Sequence, residues 1–64
     1  MTKQGVLDKY GVTESQVEAI WSSTTVKHMV KLIVKPDRNE SFNPEGLTPA
    51  QKAVLHLRYG YVID

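Results

Sequence analysis

The chain has 64 residues, a net charge of +1 and no cysteine. A domain this small buries only about 60% of the surface its unfolded chain exposes, so its stability is marginal. Without cysteine, disulfides and thiolate metal sites are excluded, and so small a net charge implies nucleic-acid affinity only if the charges are unevenly distributed.

Taken in chain order, Val6, Leu7 and Tyr10 recur at helical spacing and predict a first helix over residues 3–10, ended by Gly11. Two turns of helix are unstable alone in water, and Gly5 weakens them further, so this helix has to be held by packing. Gly11 can adopt the left-handed conformation that ends a helix. Thr13 with Gln16 three residues on forms a capping box for the next helix, and Val12 and Val17 are placed as a hydrophobic staple across its start. That second helix is predicted from Glu14 to Trp21 or Ser22, burying Val17, Ile20 and Trp21 along one side. Ser22-Ser23-Thr24-Thr25 then offers four cap-forming residues and predicts a break.

Residues 26–35 satisfy two periods. As a helix they place Val26, Met29, Val30 and Ile33 on one face and Lys27, Lys31 and Lys35 in a separate stripe. As a strand they put Val26, His28, Val30, Leu32 and Val34 on one face and the lysines on the other, with residues 59–63 as the only available partner. Helix is preferred, because a lone strand needs a partner. Pro36 ends the element, and residues 37–46 form a polar connection with a turn signal at Asn43-Pro44-Glu45-Gly46. Asp37, Asn39 and Ser41 have the spacing that opens a calcium loop, but Phe42 replaces its glycine and Thr48 its final glutamate, so no calcium site is expected. Asn39-Glu40-Ser41 is a formal glycosylation sequon without a secretory signal to give it meaning. Phe42 is read as an anchor for the connection, the alternative being an exposed binding aromatic. The last helix is the best specified: Thr48 and Gln51 make a second capping box, Pro49 occupies the first turn, Gly60 ends it, and Val54, Leu55 and Leu57 face inward. The apolar tail Tyr61-Val62-Ile63 either covers the core or faces a partner. The expected fold is an all-α, three- to four-helix single domain spanning residues 1–64 with a helix-turn-helix. The alternative is α+β, with residues 26–35 and 59–63 as a small hairpin.

Val6, Tyr10, Val12, Val17 and Ile20, with Gly11 in the turn, resemble the helix-turn-helix of bacterial and phage DNA-binding proteins. Leu47 to Gly60 is similar to the helix that precedes the helix-turn-helix in region 4 of sigma factors, although the order of the two pieces is reversed here. The resemblance implies a helical DNA-binding-like core. Leu7 departs from it by standing where the family keeps alanine or glycine. So do the solvent-facing positions Thr13, Glu14, Ser15, Glu18 and Ala19, whose two glutamates are repelled by phosphate even though glutamate can accept a hydrogen bond from cytosine.

Little points to catalysis: Asp8, Asp37 and Asp64 are scattered, no phosphate-binding glycine loop is present, and neither His28 nor His56 is spaced to activate a serine. The histidines are not at metal-ligand spacing, and no metal or other cofactor is expected. Met1-Thr2-Lys3-Gln4 leads into no signal-like run and no stretch is long enough to span a bilayer, so a soluble, cytoplasmic protein is expected. Trp21 continues the buried face of the second helix and reads as core.

The lysine stripe is either a solvated face or a phosphate-contacting rail, extended by Lys9, His28 or Arg38. The sequence thus predicts a small non-enzymatic DNA-binding protein regulating transcription or a related DNA transaction, with Thr13, Ser15 and Glu18 facing bases and Lys27, Lys31 and Lys35 on phosphates. The alternative is an adaptor or inhibitor of a host transcription or replication machine, binding protein through the acidic second helix, Glu14 included, and through Tyr61, Val62 and Ile63. A homodimer joined through that tail is the expected assembly.

Overall fold

A computed structural model describes residues 2–40 and 42–63. Ser41 and Asp64, which enter the rejected calcium-loop reading and the scattered carboxylates, lie outside the described residues. The fold is all-α: α1 (Lys3–Tyr10), α2 (Glu14–Ala19), α3 (Thr24–Val34), a 3-10 turn (Pro44–Gly46) and α4 (Pro49–Tyr59). No strand occurs among the described residues, so the hairpin alternative for residues 26–35 and 59–63 is corrected. Local chemistry decided it. Ser23 caps the segment by accepting from the Val26 amide at 3.4 Å, and the chain is helical from Thr24 onward.

The caps form as the side chains dictate. Thr2 caps α1 through the Gly5 amide, a contact the sequence reading did not anticipate. Gly11 stands at φ 67°, and the Val12 amide bonds Leu7 O at 3.0 Å across the turn, the six-residue closure of a Schellman motif. Both capping boxes, Thr13 with Gln16 and Thr48 with Gln51, are closed in both directions. Gly60, at φ 78°, ends α4.

Two boundaries differ from expectation or gain a cause. The second helix stops at Ala19, short of Trp21, because Ile20, Trp21 and Ser23 make three-residue turns instead of continuing the ladder. The Trp21 carbonyl accepts from the Arg58 guanidinium of α4, a bond made outside the helix ladder. At the other boundary, Lys35 is extended at φ −141°, as the residue before a proline tends to be, and Pro36 closes α3.

α4 is the centre of the molecule. It packs against α1, α2 and α3, which touch one another far less. Its residues Ala53, Val54 and Leu55 are all fully buried, and three successive side chains sweep about 200° of a helix, so contact from one neighbour could not cover them. Val17, Val26 and Leu7 meet them in the core, with Val6 and Leu32 also buried. Ala53 was not among the residues expected inside, and Leu57 packs on the core but is only half-buried. Ile20 and Trp21 likewise pack on the core while remaining half-buried beside fully buried Val17.

The connection is tied down at several points. Asp37 accepts from the Asn39 amide at 3.0 Å, Asn43 accepts from the Glu45 amide at 3.1 Å, and Phe42 and Leu47 pack on the core, so Phe42 is the expected anchor. The tail folds back. Tyr61 donates its amide to Leu55 O at 2.9 Å, and Tyr61 and Ile63 pack on the core while Val62 is 52% exposed. No described helix is long and apolar enough to cross a membrane.

Two glycines give opposite expectations. A Cβ at Gly11 meets nothing within 4 Å, but its left-handed backbone disfavours one, so Gly11→Ala is expected to cost about 1–2 kcal/mol. Gly46 has equally open surroundings and no positive φ, so Gly46→Ala is expected to stabilise by about 0.4–1 kcal/mol through the unfolded chain. Urea unfolding of the two variants checks both signs.

Candidate nucleic-acid interface

The exposed face of α3 gathers the organised charge of the chain. A helix turns about 100° per residue, so Lys27 and Lys31 lie on one side of α3 with a rise of roughly 6 Å between them, and Lys35, the extended C-cap residue, follows just past the end of the helix. Thr24 and His28 fall on the same side, and all five residues are exposed. The opposite side is the one that packs inward, with Val26 buried and Met29, Val30 and Ile33 half-buried. Among the described residues none of the three lysines makes an ion pair.

Other cations of the sequence are placed elsewhere. Lys9 lies on α1 with its ammonium 5.4 Å from the Tyr10 ring centre. Arg58 is held between Trp21 and Tyr59, at 5.7 and 5.4 Å from their ring centres, and bonds the Trp21 carbonyl. Arg38 is exposed in the connection. His28 Nε2 is 2.9 Å from Glu40 Oε1, which brings a carboxylate from the connection to the edge of the α3 face. His56 is a structural residue: its Nδ1 is 3.2 Å from the Tyr10 hydroxyl, and the two rings meet edge to face at 6.0 Å, pinning α1 to α4.

The acidic second helix has its own counter-charge. Lys3 Nζ bonds Glu14 Oε1 at 2.9 Å across the turn between α1 and α2. The hydrogen bond that Lys3 donates to Glu14, with the charges of Glu14 and Glu18, raises the Lys3 pKa above the ordinary lysine value against an opposing effect of desolvation. Thr13, Ser15, Glu18 and Ala19 are exposed, as the sequence reading requires of them. Thr13 already uses its hydroxyl oxygen to accept from the Gln16 amide. Glu18 joins Lys3, Val17, Trp21 and Ser22 around a shallow cleft of about 420 Å³.

No family model matches the chain, and no match is found among curated proteins or solved structures.

The structure therefore brings Lys27 and Lys31 onto one face, with Lys35 just past the end of the helix, and adds His28 with its Glu40 contact. It pairs Glu14 with Lys3, leaves Thr13, Ser15 and Glu18 in water, and turns Tyr61 and Ile63 toward the core with only Val62 fully outward. The Lys3–Glu14 and His28–Glu40 contacts span 11 and 12 residues. Helical periodicity links residues three or four apart and carries no signal for either.

The charge pairing sets an expectation for titration. A lysine whose folded pKa is raised contributes its stabilisation at neutral pH and loses it as pH rises through that raised value. Glu14→Gln is therefore expected to lower the Lys3 midpoint in a titration followed by nuclear magnetic resonance, with the helical content at neutral pH unchanged.

Proposed function

We propose that the chain is a small non-enzymatic DNA-binding domain that lies on the duplex with the exposed face of α3 along the phosphates, acting in the cytoplasm in transcription regulation or a related DNA transaction. The observation that carries this reading is the α3 face itself: Lys27 and Lys31 on the helix and Lys35 just past its end, exposed and without an ion-pair partner among the described residues. In a chain of net charge +1 that face is the local excess of positive charge on which phosphate affinity depends. The residue resemblance to helix-turn-helix proteins supports the same reading.

Length also favours α3 as the element that carries affinity. Its 11 residues run about 16 Å, against about 9 Å for the six of α2, so it can follow more of the phosphate backbone. Sequence preference comes from Thr13, Ser15 and Glu18, where the carboxylate of Glu18 can accept from cytosine. The second reading, a protein-binding adaptor or inhibitor of a transcription or replication machine, draws on the exposure of Val62 and the cleft beside Glu18. It is weakened because Glu14 is already paired and Tyr61 and Ile63 are packed inward. For the same reason dimerisation through the tail has little apolar surface to use, since stable interfaces bury about 1,200–2,000 Å².

Replacing Lys27, Lys31 and Lys35 by glutamine removes up to three phosphate contacts. The slope of log affinity against log salt is expected to shrink by roughly 2.7, at about 0.9 per contact, with affinity lost alike for every DNA sequence. Fluorescence anisotropy with labelled duplexes measures both. Absence of binding by the wild-type chain at low salt overturns the reading, and capture of a stoichiometric protein partner through Glu18 replaces it with the adaptor.

A further inference from the structure

We infer that Glu40 holds an anion position at the edge of the α3 face, which a DNA phosphate takes over on binding, making His28 a fourth phosphate contact beside Lys27, Lys31 and Lys35. The inference rests on the DNA-binding reading above. Glu40 Oε1 lies 2.9 Å from His28 Nε2, and an ionised carboxylate can only accept, so Nε2 carries the hydrogen and points it outward from α3. A phosphate oxygen is an acceptor of the same kind and charge sign, and can replace the carboxylate at that nitrogen without any change in the donor. The position lies three residues from Lys31 along the helix, a spacing at which side chains are neighbours, so the anion it accepts sits beside Lys31. Glu40 arrives there from the connection, just after the turn that Asp37 makes with the Asn39 amide, and both side chains of the contact are about half exposed, at 54% and 55%. Exposed pairs of this kind are weak, so the carboxylate is readily displaced. While it remains, its negative charge opposes an approaching phosphate. Glu40 thus lowers DNA affinity, and His28 is the group through which it does so.

The test compares Glu40→Gln with Glu45→Gln in the full chain, by anisotropy with a labelled duplex at low salt and with circular dichroism to confirm equal helicity. Glu45, in the Pro44–Gly46 turn, removes the same charge from the same connection and reports the general electrostatic effect. Glu40→Gln is expected to tighten binding about two- to fivefold beyond Glu45→Gln, the range an exposed pair corresponds to. In a His28→Asn background that advantage is expected to vanish. Equal effects of the two glutamine substitutions, or an advantage that survives without His28, overturn this inference while leaving the DNA-binding reading in place. No binding by the wild-type chain overturns both.

Discussion

Three side chains in a row on α4, Ala53, Val54 and Leu55, are removed from water, and the rest of the molecule is arranged to make that possible. One helix neighbour covers a stripe, whereas these residues sweep about 200°, so α1, α2 and α3 each have to pack on α4. The segment from α1 to α2 is subordinate to this arrangement: both helices lean on α4 and touch each other little, with Leu7 of α1 buried in the core. The contacts that complete α4 come from the same packing: Tyr10 against His56 on one flank, and Arg58 beneath the Trp21 carbonyl on another.

This central packing also decides which surfaces are left for a partner. α3 places its apolar side on α4, so its lysines face outward as a consequence of the core and make no ion pair among the described residues. The acidic turn of α2 meets Lys3 of α1, which satisfies Glu14 within the chain. That exposed pair is weak, but the Lys3 charge still offsets that of Glu14, so the turn of α2 carries less net charge than the lysine face of α3.

How much was legible in the sequence follows from range. Thr13 with Gln16, Thr48 with Gln51, Gly11 and Gly60 act within one turn of helix, and each produces the boundary its chemistry predicts. The end of α2 is not legible because Ile20, Trp21 and Ser23 close three-residue turns that an apolar pattern does not distinguish from a continuing helix. Residues 26–35 satisfied both periods, and only the Ser23 cap with packing on α4 separates helix from strand. Ala53 was missed because a small residue adds little to a hydrophobic pattern, although its lack of bulk is what lets a neighbour approach. The placement of Lys27 and Lys31 could be read directly, since i, i+4 spacing is kept in α3, whereas Lys35 lies beyond its end. The surroundings of these lysines could not be read, because Glu40 and His28 meet through the path of the connection.

Whether the exposed face of α3 meets DNA at all is the central claim to test. Titration of a short duplex into isotopically labelled protein, followed by amide chemical shifts, reports this residue by residue. The account predicts that the largest changes fall on Thr24, Lys27, His28, Lys31 and Lys35, with the amides of Ala53, Val54 and Leu55 unmoved. Changes centred on Glu14 and Val62 with the α3 residues unmoved, or no changes at low salt, contradict it.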